Sequence, residues 1–267
     1  MKRAADGLLV PVLAAGAPAC YFLTGKKFWP LTAFCAYSFL KEAGKPVRPV
    51  FIDDGSIDRK LYEKIKKQFP GCIIRTAKEI EAALSEHLPK SQFPAIHQKR
   101  KNYPHIKKLT DVHAGSQGWK LVLDSDMLFF KPPRQLTDWL EKPGRPFFLR
   151  DPYYAYHYSL PLLEEIAGDK LVSQLNVGAA GLRSEDIDWS AMEKWIVAME
   201  AAEGSSYLLE QALTAMIVAG KEVIVADPKE YVVLPGKEEI ITPSATLHHY
   251  VAESKEWYYK QAWKKVI

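Results

Sequence analysis

The chain has 267 residues, of which 48% are hydrophobic and 25% are charged, with 36 basic and 32 acidic side chains and a net charge of +4. This composition excludes wholesale disorder, and the length suits one large α/β domain or two closely joined halves. The small positive excess does not by itself indicate a nucleic-acid-binding protein. It is compatible with a small anionic ligand or an anionic membrane surface.

The cysteines indicate a reducing compartment. There are three, none of them in a CxxC pair, and the odd count argues against a disulfide framework. We therefore expect a cytoplasmic protein in which the three are buried as small hydrophobic side chains: Cys20, Cys35 and Cys72.

The first 18 residues are basic and then apolar, as in a secretory signal. The apolar stretch is interrupted by Pro11 and Gly16 and is preceded by Asp6. These interruptions favour a leader arm that feeds the first strand over a signal peptide. No apolar run in the sequence is long enough to span a bilayer.

Hydrophobic periodicity predicts alternating strands and helices. The predicted strands cover residues 19–23, 48–52, 72–75, 120–123 and 222–226, and the predicted helices cover 30–43, 57–68, 77–87, 103–114, 186–202 and 206–219. Residues 91–102 are predicted to be irregular. A series of βαβ units indicates an α/β protein with a mostly parallel central sheet and helices on both faces.

The strongest local signal is the segment LVLDSDMLFF. An apolar strand ends there in two carboxylates, Asp124 and Asp126, spaced two residues apart. Ligands of open α/β sheets lie at the carboxyl ends of strands, and two such carboxylates can share one hard divalent cation that bridges phosphates. The alternative is that both residues only cap a turn or a helix.

A second signal is the segment HYVAESKEW near the end of the chain. His249 offers an imidazole ligand for a first-row divalent ion, and Lys255 can neutralise phosphate charge. His248 is an equally available imidazole by composition.

Four motifs occur in a fixed order: the D-x-D strand, Asn176-Val177-Gly178, Glu210-Gln211 and HYVAESKEW. In this order they resemble the family-8 glycosyltransferases, the retaining group that includes lipopolysaccharide galactosyl- and glucosyltransferases and glycogenin. That family carries D-x-D, N-x-G, an acidic-Gln pair and H-F/Y-x-G-x-x-K-P-W. The resemblance spans residues 103–257 and implies a GT-A fold, Rossmann-like in its nucleotide-binding half.

The resemblance implies a role for each matched residue. Asp124, Asp126 and His249 would bind Mn²⁺ or Mg²⁺, with Ser125 between them in contact with the nucleotide. Lys255 would contact the diphosphate. The family also places a cofactor-binding basic residue about 17 positions before D-x-D. Both Lys107 and Lys108 fit that position, and Lys107 is slightly preferred.

The resemblance also implies a sugar pocket. Asn176 and Gly178 would line it, Asp151 would reach a donor-sugar hydroxyl, and Gln211 would lie beside the anomeric carbon with Glu210 next to it. The implied division is a nucleotide-sugar-binding half (1–130), an acceptor-side half (131–247) and a metal and phosphate motif with the C-terminal tail (248–267).

The implied activity is transfer of a hexose from a nucleotide-diphosphate sugar, a UDP-sugar, to a saccharide, glycolipid or other hydroxyl acceptor, with no nucleic-acid partner. The configuration would be retained by front-face attack, because the matched position is the amide Gln211. Three alternatives stay open: an inverting GT-A enzyme with Glu210 as general base, a non-catalytic sugar-nucleotide binder, and a haloacid-dehalogenase-like phosphatase.

The sequence departs from the family pattern at several positions. The turn after the first strand has no acid. Phe28 or Trp29 is a candidate for base stacking, with burial the alternative, and Asp53 or Asp54 is a candidate for a ribose hydroxyl. Ala252 replaces the family glycine and Glu256 the family proline, and Glu210 replaces the usual Asp.

The tail, residues 257–267, holds four aromatic residues with lysines in and beside it. This composition is typical of a helix in a membrane interface, so a peripheral membrane contact is one prediction. The alternative is a last helix whose aromatics pack on the domain.

Overall fold

The structure, a computed structural model, describes residues 1–12 and 16–267 and is an α/β protein. Residues 13–15, part of the predicted leader arm, lie outside the described residues. The strands are β1 (Ala19–Thr24), β2 (Arg48–Asp53), β3 (Ile73–Arg75), β4 (Trp119–Leu123), β5 (Met127–Phe129), β6 (Phe147–Arg150), β7 (Leu175–Arg183), β8 (Ile224–Val225), β9 (Tyr231–Val233) and β10 (Leu247–His249).

The helices are α1 (Lys2–Asp6), α2 (Trp29–Glu42), α3 (Arg59–Gln68), α4 (Ala77–His87), α5 (Pro94–Asn102), α6 (Lys107–His113), α7 (Arg134–Glu141), α8 (Leu160–Ala167), α9 (Trp189–Glu203), α10 (Leu209–Ile217), α11 (Lys237–Ile241) and α12 (Ser254–Lys260). Each of the predicted strands and helices is present, with ends shifted by a few residues. The three cysteines are buried and free, as predicted.

The chain forms two compact units, each discontinuous in sequence. Unit one comprises Met1–Ala77, Leu121–Gly144 and Ala226–Ile267, and unit two comprises Lys78–Lys120 and Arg145–Val225. The ranges predicted from the sequence, 1–130, 131–247 and 248–267, divide the chain by function and differ from these units.

The parallel sheet of unit one places several strand ends at one edge. Its four strands lie in the order β3-β2-β1-β4, and Thr24 pairs with Asp53 where β1 and β2 end. Strands covered on both faces are apolar throughout, which is why Phe51 and Ile52 are fully buried. Because the strands are parallel, the residues that follow β1, β2 and β4 emerge at the same edge.

A second, three-stranded sheet of unit one was not predicted. Its order is β5-β10-β9, with β10 antiparallel to β5 and parallel to β9. His249 of β10 lies opposite Met127 of β5. Strands of three residues are too short to show a hydrophobic period, so the sequence pattern does not reveal them.

The core of unit one settles the role of Trp29. The indole is buried, its Nε1 donates to Gln68 Oε1 at 3.1 Å, and its ring meets those of Phe51 and Phe69 edge-on. Trp29 is therefore a core residue. Phe28 stays 44% exposed.

Unit two contains β6, β7 and β8, with β6 antiparallel to β7 and parallel to β8. It also contains α5, where the sequence prediction of an irregular segment is wrong. The helix begins at Pro94, which needs no hydrogen-bond donor there, and the Glu193 carboxylate accepts from the N–H groups of Ala95 and Ile96. A cap from a distant part of the chain cannot be seen in the local sequence.

The tail packs on other residues of unit one, to which it belongs. Ala262 and Val266 are buried, and the Trp263 ring centroid lies 5.3 Å from that of Phe34. The Lys265 ammonium donates to the Ile241 carbonyl at 2.7 Å. Among the described residues, no helix is both long and apolar enough to cross a membrane.

Deleting residues 262–267 is expected to lower the melting temperature. The deletion removes the buried Ala262 and Val266 and uncovers Phe34, which should reduce the free energy of unfolding by about 2–4 kcal/mol. Thermal unfolding followed by circular dichroism measures the change. Ile267→Ala is the control, because that side chain is 58% exposed. An unchanged melting temperature of the deletion would show that the tail is not part of the core.

Candidate functional site

A cluster of three possible metal ligands lies in unit one. Asp124, Asp126 and His249 each offer one ligand atom, and these atoms lie within 4.8 Å of one another. His249 Nε2 is 3.2 Å from Asp126 Oδ1 and 3.7 Å from Asp124 Oδ2. The structure thus brings together the three residues assigned to the metal from the sequence.

The spacing fits a small divalent cation. With metal–ligand distances of about 2.1 Å in an octahedral shell, neighbouring ligand atoms lie about 3 Å apart. Two carboxylate oxygens and one imidazole nitrogen suit a first-row ion such as Mn²⁺, and the carboxylates also suit Mg²⁺.

The ends of three strands carry these ligands. Asp124 directly follows β4, Asp126 directly precedes β5, and His249 is the last residue of β10. The Tyr250 N–H donates to the Asp126 carbonyl at 2.9 Å, which extends the β5–β10 ladder by one bond. Backbone pairing therefore sets the distance between the imidazole and the carboxylates.

The backbone carbonyls of Asp124 and His249 also accept hydrogen bonds. The Asp124 carbonyl accepts from the Cys35 thiol at 3.3 Å, and the His249 carbonyl accepts from the Leu234 N–H at 3.0 Å. Burial raises the pKa of Cys35 well above its ordinary value, and the nearby carboxylates add to this rise. The thiol consequently stays protonated and remains a donor.

The charge of the cluster is partly balanced. Burial acts to raise the pKa of Asp126, but the hydrogen bond and charge of His249 and the charge of Lys255 outweigh it and hold that pKa well below its usual range. Lys255 Nζ lies 3.0 Å from Asp126 Oδ2 and is 45% exposed. Asp126 is therefore ionised at neutral pH, as a metal ligand must be.

The turn between His249 and Lys255 contains one residue in a left-handed backbone conformation. Ala252 adopts φ +45°, a left-handed conformation that glycine enters readily and alanine enters at a cost. The alanine thus occupies the position of the family glycine in a glycine-like conformation.

His248 has a different environment from His249. It is fully buried, with Nε2 2.8 Å from Glu239 Oε1 and Nδ1 3.0 Å from the Tyr250 hydroxyl. A carboxylate only accepts, so Nε2 carries the proton and the Tyr250 hydroxyl donates to Nδ1. Both ring nitrogens of His248 are occupied, and of the two histidines it is His249 that lies with Asp124 and Asp126.

Glu239 holds this buried network together. It accepts from the hydroxyl and the N–H of Ser244, from the Ala245 N–H and from His248. Burial acts to raise the pKa of Glu239, but these hydrogen bonds lower it to about 2. Burial lowers the pKa of His248, although Glu239 opposes that change.

A second cluster, in unit two, gathers the amide residues of the sequence motifs. Gln211 Nε2 donates to Asp151 Oδ2 at 2.8 Å and to the Ala155 carbonyl at 2.6 Å. Asn176 Nδ2 donates to Asp151 Oδ1 at 2.9 Å, and the Gly178 N–H donates to Asn176 Oδ1 at 3.0 Å. Both donors of the Gln211 amide are thus used, and the carbonyl oxygen of that amide accepts no hydrogen bond within the described ranges.

A buried ion pair in unit two separates the two candidate lysines. Lys108 Nζ lies 3.1 Å from Glu210 Oε2, donates to the Val177 carbonyl at 3.3 Å, and is buried with its partner. Lys107 is half-buried at the first position of α6. Lys108, the less preferred lysine, is thus the one that reaches the acidic-Gln pair, a contact that linear spacing does not reveal.

Two further sequence candidates have mainly structural surroundings. The Asp53 carboxylate accepts from the N–H groups of Gly55, Ile57 and Ala77, and so fixes the turn after β2. Asp54 lies over Gly25, where an added Cβ would be 2.0 Å from its carboxylate. Ser125 is half-buried between the two carboxylates of the metal cluster, and its assignment remains a prediction.

The fold is similar to those of solved glycosyltransferases. Mouse xyloside xylosyltransferase 1, in its apo form, is 11% identical with a TM-score of 0.57, over 87% of this chain and 97% of that one. The galactosyltransferase LgtC, in complex with donor and acceptor sugar analogs, is 13% identical with a TM-score of 0.58, over 93% and 95%. The glycosyltransferase GlyE of Streptococcus pneumoniae TIGR4 is 12% identical with a TM-score of 0.55, over 94% and 62%.

This likeness confirms the predicted GT-A fold. No protein-family model matches the sequence, and a search of the curated proteins found no match.

The two adjacent histidines are expected to respond differently to replacement by alanine. His249→Ala removes a metal ligand and should abolish Mn²⁺ binding, measured by calorimetry, with little change in melting temperature. His248→Ala should leave Mn²⁺ binding and lower the free energy of unfolding by about 2–4 kcal/mol, because it leaves Glu239 and Tyr250 without their buried partner. Equal loss of Mn²⁺ binding in both variants would contradict the assignment.

Glu239 is expected to stabilise the fold in a pH-dependent manner. Its pKa is about 2 in the folded chain and about 4.3 in an unfolded one, so its stabilisation, of the order of 3 kcal/mol, is present above pH 4.3 and is lost as the pH falls towards 2. Urea unfolding of the wild type and Glu239→Gln at several pH values measures the difference. Glu238→Gln is the control, since that neighbour is exposed. A difference that does not shrink below pH 4 would refute this account.

Proposed function

We propose that the chain is a family-8-like glycosyltransferase that moves a hexose from a nucleoside diphosphate sugar, a UDP-sugar, to a hydroxyl of a saccharide or glycolipid acceptor. The observation that carries the proposal is the assembly of Asp124, Asp126 and His249 into one cluster in a GT-A fold. The order of the four sequence motifs supports the same activity.

The metal cluster suits a leaving diphosphate. Asp124, Asp126 and His249 would hold Mn²⁺ or Mg²⁺, and a bound divalent ion neutralises charge that develops on phosphate oxygens as the sugar departs. Lys255 contributes a second positive charge, and its partly exposed ammonium group is held in place by Asp126. These groups are positioned before any ligand arrives, which reduces the cost of reorganisation.

The amide network of unit two suits the sugar. A glycosyl transfer passes through an oxocarbenium-like state, which is stabilised by a nearby partial negative charge. Asp151 and Ala155 bind the nitrogen of the Gln211 amide, so its carbonyl oxygen is the atom presented to a ligand. An amide is a poor nucleophile, and we therefore propose front-face attack by the acceptor hydroxyl with retention of configuration.

The remaining residues receive supporting roles. We propose that Asn176 and Gly178 line the donor-sugar pocket and that Asp151, whose carboxylate accepts from both motif amides, reaches a sugar hydroxyl. The pairing with Glu210 favours Lys108 as the basic residue beside the sugar. The cofactor-binding roles proposed for Lys107 and Ser125 rest on the motif resemblance.

The competing functions have less support. An inverting enzyme would use Glu210 as general base, but Lys108 already engages its Oε2 oxygen. A phosphatase of the haloacid-dehalogenase type has no support from the fold likeness. A non-catalytic binder would keep both clusters and would be recognised by sugar-nucleotide binding without turnover.

The tail and the cellular location remain predictions. The buried Ala262 and Val266 and the ring contact of Trp263 support the alternative in which the tail belongs to the core. A cytoplasmic location and a peripheral membrane contact rest on the sequence composition alone.

Asp126→Ala should remove the Mn²⁺-dependent part of UDP binding. At a UDP concentration about 100-fold above Kd, binding adds about 2.7 kcal/mol, or roughly 5 °C in melting temperature. A thermal-shift assay with UDP, with and without Mn²⁺, should show this shift for the wild type and for Glu253→Ala, an exposed neighbour in the same motif. If Asp126→Ala keeps the Mn²⁺-dependent shift, or if the wild type binds no nucleoside diphosphate, the proposed function is wrong.

A further inference from the structure

Tyrosines are concentrated in unit two, in a segment that touches Gln211. Residues 153–158 read YYAYHY, and their rings fall into two classes. Tyr156 and Tyr158 are buried, whereas Tyr153 is 54% exposed and Tyr154 is 40% exposed. Tyr207, two residues before the first residue of the helix that carries Gln211, is 66% exposed.

The buried pair fixes the segment. The Tyr156 hydroxyl donates to the Val172 carbonyl and accepts from the Leu175 N–H at 3.0 Å, and the Tyr158 hydroxyl donates to the Gly204 carbonyl at 3.1 Å. Each hydroxyl thus ties the segment to another stretch of backbone. The segment is an ordered loop with its own buried anchors.

Two of the exposed rings are also held in place. The Tyr154 ring meets that of Tyr156 edge-on at 5.1 Å, and its hydroxyl donates to the Tyr158 carbonyl. The Tyr207 ring meets that of His105 edge-on at 4.9 Å. Single exposed aromatics are normal on a protein surface. Here two exposed rings are ordered by contacts with their neighbours and belong to segments that adjoin the candidate site.

These rings lie close to the amide of Gln211 along the chain. Tyr153 and Tyr154 stand between Asp151 and Ala155, and both of those residues accept a hydrogen bond from Gln211 Nε2. Consecutive Cα atoms are about 3.8 Å apart, so the backbone of each tyrosine is within two residues of a direct contact with that amide. Tyr207 lies four residues before Gln211 in the sequence.

The polar ends of two rings are available to a ligand. Within residues 1–12 and 16–267, the hydroxyls of Tyr153 and Tyr207 make no hydrogen bond. A ring with an apolar face and a hydroxyl at its edge matches a pyranose, which has an apolar C–H face and hydroxyls around its rim.

We propose that Tyr153, Tyr154 and Tyr207 form the acceptor subsite and bind the pyranose ring of a saccharide by stacking on its C–H face. The proposal rests on the proposed function, because an acceptor hydroxyl must come close to the group beside the anomeric carbon. It makes the acceptor a carbohydrate and not a lipid or a protein side chain.

The test uses saturation-transfer NMR with three probes: methyl β-D-glucopyranoside, methyl β-D-galactopyranoside and methyl β-D-xylopyranoside, each added to the full chain with UDP and Mn²⁺. The wild type should transfer saturation to the ring C–H protons of at least one probe. The double variant Tyr153→Ala, Tyr207→Ala should lose at least fivefold of this signal. Tyr259→Ala, which removes a tyrosine that is 52% exposed in α12, should retain it.

The thermal shift with UDP and Mn²⁺ distinguishes failure of the acceptor subsite from failure of the proposed function. If the shift is present but no probe receives saturation in the wild type, or the double variant keeps its signal, the subsite is wrong and the proposed function stands. If the shift is absent while the tyrosine-dependent signal is present, the rings bind saccharide and the proposed function fails. If the alanine double variant loses the thermal shift in addition to the saturation signal, its fold is disturbed. The double variant Tyr153→Phe, Tyr207→Phe, which keeps both rings, is then measured instead. It must retain the saturation signal, or the subsite is wrong.

Discussion

The pairing of β10 with β5 is the interaction on which the metal cluster depends. Asp124 and Asp126 follow one strand, and His249 comes from a part of the chain that is distant in sequence. The antiparallel ladder, extended by the Tyr250 N–H bond to Asp126, sets the imidazole 3.2 Å from a carboxylate oxygen. A slip of one residue in this ladder would exchange His249 for a neighbour, since successive side chains of a strand point to opposite faces. The register of a three-residue strand therefore determines whether the cluster exists.

The register of β10 is fixed by the hydrogen bonds of a buried polar side chain. His248, on the opposite face of β10, is fully buried and is satisfied only where Glu239 and Tyr250 meet its two nitrogens. A slipped strand would bury an unsatisfied imidazole and leave a carboxylate without its partner, which is costly in a low-dielectric interior. Glu239 in turn is held by the backbone of Ser244 and Ala245. His248 thus helps to position its neighbour His249, the candidate metal ligand, without belonging to the cluster itself.

In unit two, hydrogen bonds set the orientation of the amide side chains. An amide can present either its oxygen or its nitrogen to a ligand, and the chemistry proposed for Gln211 requires the oxygen. Asp151 accepts from both Asn176 and Gln211 and so selects one orientation of each side chain. The neighbouring Lys108–Glu210 pair is buried and depends on both members, because either charge alone would be strongly destabilising there. Motif residues that are separated along the chain act as one hydrogen-bonded group.

The sequence by itself determined the α/β alternation, the GT-A fold through the order of its motifs, and the identity of Asp124, Asp126 and His249 as possible metal ligands. These features follow from local chemistry: apolar runs, strand-end carboxylates and motif spacing. Only the tertiary structure decided which histidine and which lysine face the clusters, that α5 is a helix, and that Trp29 is core. It also revealed the short strands β5 and β10. Each of these depends on a partner far along the chain, such as Glu239 for His248, Glu210 for Lys108 and Glu193 for α5, and such pairings leave no periodic trace in the sequence.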